Sequence, residues 1–158
     1  MPQKEIEKFI VERKNWIDEH IEIMRQRNKD KEKAVPFTSE ELEKMSELSL
    51  EKVTSRAEHY SALMGVSYNR ITIRRQVSRW GSCSSSKNLN FNCLLALVPD
   101  DVLDYVVVHE LCHLKEMNHS KNFWREVERV IPDYNLKRNW LRDNGGELIH
   151  RLRISTQK

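Results

Sequence analysis

The chain has 158 residues, enough for one domain with a core or one domain carrying a helical extension. Charged residues make up 32% and Gly and Pro stand at four each, a composition that leans toward helix. Net charge is +3 and evenly spread, with 16 Lys/Arg against 14 Asp/Glu in residues 1–79 and 11 against 10 in residues 80–158, so the chain lacks the polyelectrolyte character of a nucleic-acid binder.

Ile6, Phe9, Ile10, Ile17, Ile21 and Met24 recur at three- and four-residue spacings and predict an amphipathic helix over about residues 3–27. The charged stretch "MPQKEIEKFIVERKNW" contains no apolar signal segment, and no run approaches membrane-spanning length. The three cysteines, Cys83, Cys93 and Cys112, are odd in number and widely spaced, which argues against a disulfide framework. These features together predict a soluble, cytoplasmic protein. Past a polar, Pro-containing break at residues 28–37, Thr38 and Glu41 form the pattern of a capping box. Leu42, Met45, Val53, Ala57, Tyr60 and Met64 then mark a second helix ending at Gly65.

The period changes in "RITIRRQVSR" (70–79), where Ile71, Ile73 and Val77 alternate with polar residues as in a half-buried strand, placing Arg75 and Arg79 in the apolar phase. A Gly-Ser-rich turn over 80–88 leads to "NLNFNCLLALVP", a second strand or hairpin arm. Pro99 and Asp100 open a largely buried helix through Leu111 and Leu114. Ser120 caps the next helix to about Val130, and after Pro132 a last helical pattern runs to "NGG" (144–146), read as its stop, with residues 148–158 as a frayed tail.

Within "VVVHELCHLKEMNHSKNFW" (106–124), His109 and His113 stand four apart on one helix face, and Glu110 lies about 100° round from His109, able to approach a metal-bound water without being a ligand. His119 is ten residues past His109, about 15 Å along a continuous helix, so sharing an ion requires the helix to stop near Met117–Asn118, with Asn118 entering a left-handed conformation. Three neutral imidazoles plus water give an open tetrahedral catalytic site, and one Zn2+ per chain is the expected cofactor, imidazole ligation favouring zinc over iron, cobalt or nickel. His20, His59 and His150 read as solvated residues, and Glu126 and Glu128, the alternative third ligands, as surface partners of Arg125 and Arg129. Cys83 and Cys112 read as packed thiols.

"RWGSCSSSKNLNFN" followed by "PDDVLDYVVVHELCHLKEMNHSKNFW" closely resembles the YgjP-like metallopeptidase-type proteins, zincins related to SprT-like and WLM proteins, over roughly residues 3–147. Metzincins share the His-to-His spacing but carry Gly where this chain has Glu116. The resemblance implies an α+β fold: a helix-rich zincin-like core (66–147) with a small antiparallel sheet packed on the H-E-x-x-H helix, preceded by a region of two helices (1–65). It also implies His109, His113 and His119 as zinc ligands and Glu110 as general base, with the Arg79–Cys83 strand beside the cleft.

The function expected is a zinc metallopeptidase in which Glu110 takes a proton from a zinc-activated water that attacks a peptide carbonyl. The partner is then a peptide or protein held along the Arg79–Cys83 strand, with Arg75, Arg79 and Trp80 as substrate-binding candidates and Tyr134 as a further candidate donor. The alternative is a nucleotide (UTP-type) pyrophosphatase using the same site, for which Arg70, Arg74, Arg75 and Arg79 could take phosphates. A DNA-associated, SprT-like protease is a third reading, weakened by the low net charge. A purely structural zinc module is a fourth, weakened because no fourth ligand stands near His119.

Overall fold

A computed structural model describes residues 34–156, so the helix expected over residues 3–27 lies outside the described residues. The first described helix, α1 (Ser39–Met64), begins at the expected capping box: Thr38 Oγ1 accepts from Glu41 N at 3.1 Å, and Glu41 Oε1 accepts from Thr38 N at 3.1 Å. It ends at Gly65, whose φ of 69° is the left-handed C-cap the sequence predicts. This helix is a wall of the core rather than an appendage to it, because Val53, Ala57 and Met64 pack in one cluster with Phe91, Val106, Leu111 and Phe123.

Three short strands follow: β1 (Arg70–Arg74), β2 (Gly81–Cys83) and β3 (Asn88–Asn92), ordered β1-β3-β2. The sheet is mixed rather than wholly antiparallel: β2 pairs antiparallel with β3 (Ser82 opposite Asn90), and β1 pairs parallel with it (Thr72 opposite Asn90). The first strand stops at Arg74, five residues short of the expected end, because the chain must leave β1 and cross to the far side of β3 before β2 begins. Arg75 and Arg79 consequently leave the apolar phase and are exposed. The expected turn over 80–88 holds β2 at its start, and the real turn lies between Cys83 and Asn88, where Lys87 takes a φ of 64° and donates its N–H to Ser84 O at 3.0 Å. The second arm also ends early: past Asn92, residues Cys93–Leu97 wind into a 3-10 turn.

Helix α2 (Asp100–Cys112) starts after Pro99 as expected and is nearly all buried. It is tied to α1 by a fork of Arg56 on Asp104 (2.7 and 3.1 Å), with the Tyr60 hydroxyl donating to the same carboxylate at 3.2 Å. Helices α3 (Lys121–Val130) and α4 (Tyr134–Thr156) complete the fold, Ser120 capping α3 by accepting from Phe123 N at 3.3 Å.

Helix α4 does not stop at Asn144–Gly146 but runs ten residues further, to Thr156. Leu152, placed in the expected tail, is wholly buried in a second cluster with Phe37, Leu42, Met45 and Leu94, and Ser155 Oγ accepts from Phe37 N at 2.7 Å. The glycine serves a contact instead of a stop: a Cβ on Gly145 would stand 2.6 Å from Trp80 Cζ2, so only glycine lets the indole lie on the helix. Among the described residues no helix is long and apolar enough to cross a membrane.

Candidate metal centre and its cleft

The three histidines meet although α2 ends earlier than the spacing argument requires. The helix closes at Cys112, and His113 is its C-cap, with φ −65°, ψ −16° and its N–H turned to Glu110 O at 3.2 Å. Leu114 and Lys115 continue with i−3 hydrogen bonds to Leu111 and Cys112, a tightened last turn that swings the chain away from the helix axis. No left-handed residue is used at this corner: among the described non-glycine residues only Lys87 has a positive φ, so Asn118 does not turn the chain as expected.

This corner carries His119 back to His109, with their Nε2 atoms 3.2 Å apart. That matches the roughly 3.3 Å separating two nitrogens that each lie about 2.05 Å from one tetrahedral ion. One ligand atom from each of His109, His113 and His119 lies within 4.8 Å of the other two, a group that could hold a metal ion. The outer nitrogens are held from outside: His113 Nδ1 stands 3.1 Å from Glu116 O, which can only accept, so Nδ1 carries the proton and Nε2 is left with its lone pair. Tyr105 Oη lies 3.4 Å from His109 Nδ1 and orients that ring likewise. Burial, then the neighbouring imidazoles, pushes His109 down to about 3, and burial lowers His113, so both are neutral donors at physiological pH.

Phe123 forms the floor of the cluster and was not singled out from sequence. It is wholly buried, with its ring centroid 4.9 Å from His109, 4.5 Å from His113 in a stacked pose, and 4.9 Å from His119. Trp124 beside it lies 5.7 Å from His109 and stacks at 6.0 Å on His119. Their sequence signal was the Phe-Trp pair that closes the histidine stretch just past the Ser120 cap, where the first turn of α3 faces the corner.

Glu110 is 5% exposed, with Oε1 4.0 Å from His109 Nε2 and Oε2 lacking any hydrogen-bond partner. Burial pushes its carboxyl up to about 8, with the Arg79 charge acting in the opposite direction. A buried carboxylate oxygen left without a donor is costly, and a cation held by the imidazoles beside Oε1 would offset part of that cost. Gly81 on β2 makes the close fit possible, because a Cβ there would stand 3.0 Å from Glu110 Cγ and 3.2 Å from Glu110 Oε1. It is therefore a close-approach residue within a strand rather than part of a turn.

A cleft of about 340 Å³ runs over this centre, lined by Arg79, the whole of β2, His109, Glu110, His113, Met117 and His119. On the other side of Gly81, Trp80, Tyr105, Val106 and Leu141 line a smaller recess that shares Arg79, His109 and Glu110 with the cleft. Of the arginines in residues 70–79, only Arg79 reaches either space: Arg74 donates to Asn90 Oδ1 at 2.8 Å, and the charge of Arg75 is felt at Cys93, away from the histidines. Tyr134 lines neither space and stacks on Trp124 at 5.3 Å, while Glu126 pairs with Lys115 and Arg129. Cys112 is wholly buried and Cys83 half-buried at the cleft, and burial raises their thiols to about 12 and about 11, so both stay protonated.

The wall of the cleft is fixed by a residue that sequence reasoning passed over. The fully buried Asn92 side chain donates through Nδ2 to Gln76 O (2.6 Å) and Arg79 O (3.1 Å), and its Oδ1 accepts from Leu94 N at 3.0 Å. Its backbone N–H donates to Trp80 O at 3.0 Å, so one asparagine holds the crossing loop that delivers Arg79–Gly81 to the cleft.

Three converging imidazoles from an H-E-x-x-H helix and the corner after it, beside a short edge strand, define a metallopeptidase-type fold. Residues 39–144 match the model of the YgjP-like metallopeptidase domain, and the chain belongs to that family. Among solved structures it is similar to the metallopeptidase zymogen of Pyrococcus abyssi abylysin, at 24% identity and a TM-score of 0.54 over 59% of this chain and 95% of the other, a likeness of fold. The metallopeptidase zymogen of Methanocaldococcus jannaschii jannalysin aligns at 21% identity and a TM-score of 0.48, over 55% of this chain and 93% of the other. None of the curated proteins matches the chain.

Proposed function

We propose that the protein is a zinc-dependent metallopeptidase acting on extended peptide segments. The observation that carries this reading is the convergence of three imidazole nitrogens within 4.8 Å beside a buried carboxylate oxygen that has no other partner. Three neutral imidazoles that leave a coordination position open are a catalytic zinc set, whereas a structural site closes with four protein ligands. Zinc, when bound, supplies a Lewis acid that polarises a carbonyl and brings the pKa of a coordinated water to about 7.

His109, His113 and His119 would hold the ion, with Tyr105 and the Glu116 carbonyl fixing the ring orientations. Glu110, ionised once a cation sits beside it, would accept the proton of the attacking water, keep it in the buried pocket and return it to the leaving amine. Strand β2 orients the substrate: it is the edge of the sheet, and all three of its residues line the cleft, so an extended peptide can add to it by backbone hydrogen bonds. Phosphate chemistry has weaker support, because of the four arginines in residues 70–79 only Arg79 lines the cleft.

The test is a paired assay of the zinc-loaded chain and its Glu110→Gln variant on unfolded protein and on UTP. Wild type cuts the unfolded protein, and Glu110→Gln, still holding zinc, is slower by about 10²- to 10⁴-fold, the span of a lost general base. Hydrolysis of UTP with the protein left intact, or equal proteolysis by the variant, overturns the reading.

A further inference from the structure

Two guanidinium groups stand near the candidate centre, one on the crossing loop and one on α4. Arg79 lines both the cleft and the recess, is exposed, and forms no ion pair with a described residue. Arg138 of α4 lies over the Trp124 ring, its Cζ 4.8 Å from the centroid, and Trp124 in turn contacts His109 and His119. Arg138 is likewise exposed and without an ion pair to a described residue, although Arg56, Arg129 and Arg142 each hold a carboxylate. The charge of each reaches the centre: Arg79 is felt at Glu110 and Arg138 at His109.

The surroundings leave these charges uncompensated. Among the described residues lining the cleft and the recess, Glu110 is the only acid. One turn along α4 from Leu141, which lines the recess, Arg138 opens a groove with Asn135, Asn139 and Arg142, with no acid among its described lining residues. Stacking on Trp124 holds the Arg138 fork in place while leaving its N–H donors free for a planar oxyanion. Arg79 at the cleft and Arg138 on α4 thus place two cations near the centre.

We propose that Arg79 and Arg138 are specificity-determining residues that select peptides carrying Asp or Glu beside the bond cleaved. The inference rests on the peptidase reading and sharpens its substrate class. Side-chain carboxylates fit these forks by charge-assisted, bidentate hydrogen bonds, and a Lys at the same place would meet a like charge. Exposed guanidiniums are screened, so the selection weakens as salt rises.

The experiment uses the zinc-loaded full chain and three quenched peptides identical except that the residues flanking the central bond are Glu, Gln or Lys. Cleavage is expected in the order Glu, Gln, Lys, with kcat/KM at least about tenfold higher for Glu than for Lys. Arg79→Gln and Arg138→Gln each reduce that ratio several-fold, chiefly through a higher KM for the Glu peptide. Equal rates on the three peptides, a preference for Lys, or a Glu preference that survives in the double variant overturns the proposal.

If wild type cuts none of the three peptides, the peptidase reading falls and fluorescence anisotropy of the same peptides on the zinc-loaded chain decides the specificity claim. Tighter, salt-sensitive binding of the Glu peptide that the double variant loses upholds it, and equal binding overturns it. Hydrolysis of UTP that displaces the Glu peptide assigns the two arginines to phosphates and overturns the acidic-peptide claim.

Discussion

The two walls of the cleft are built in opposite ways. The metal corner is local: His109, Glu110, His113 and His119 fall within eleven residues, and the floor under them, Phe123, is four residues further on. The proposed substrate wall is assembled at long range, with Trp80 held by Asn92 on β3, 12 residues on, and by Gly145 on α4, 65 residues on. The proposed metal site is therefore carried by one stretch of sequence, whereas the proposed substrate wall is spread over the chain.

Substitutions that separate the walls test this difference. Phe123→Ala removes the shared ring beneath all three imidazoles and should cost about 3–5 kcal/mol in chemical denaturation while weakening zinc binding. Unchanged zinc affinity would show that the floor serves stability alone. Asn92→Ala strips two carbonyls and one amide of their partner and should cost about 2–3 kcal/mol. It should also raise KM for peptide while the zinc content stays at one per chain, and loss of zinc in this variant would mean the two walls are coupled.

The neighbouring glycines of α4 make a finer comparison. Gly145→Ala drives a methyl to 2.6 Å from Trp80 and should destabilise by about 1–3 kcal/mol. Gly146→Ala meets nothing within 4 Å on an exposed helix position and should stabilise by about 0.5–1 kcal/mol. Thermal melts in which both variants shift the same way would contradict a helix running through the pair.

The smallest effect concerns the Lys115–Glu126–Arg129 tie between the corner and α3. Arg129, then Lys115, holds the Glu126 carboxyl down at about 2, below its ordinary 4.5. A depressed carboxylate contributes stability that is complete above the unfolded value and is lost as pH falls from about 4.5 to about 2. In metal-free protein, Glu126→Gln should melt roughly 2 °C lower near neutrality and lose that difference by pH 2. A difference constant with pH would contradict the ion-pair account.

The same contrast explains what the sequence disclosed. The capping box at Thr38, the Gly65 stop, the helix from Asp100 and the Ser120 cap were legible because each is decided by a few neighbouring residues. The early end of β1, the parallel pairing of β1 with β3, and the course of α4 through Gly145 were not, because crossing connections and a distant indole decide them. The histidine triad was predicted with the wrong turn: the helix ends at Cys112 in a tightened last turn, and Asn118 has no left-handed role. Arg138 escaped notice because nothing in its own segment marks it, and only the fold sets it on Trp124.

Zinc content tests the central claim most directly. Elemental analysis of the purified full chain should give one zinc per chain, and His113→Ala, folded by circular dichroism, should give none. Folded wild type that takes up no zinc, or a His113→Ala variant that holds as much as wild type, would contradict the account.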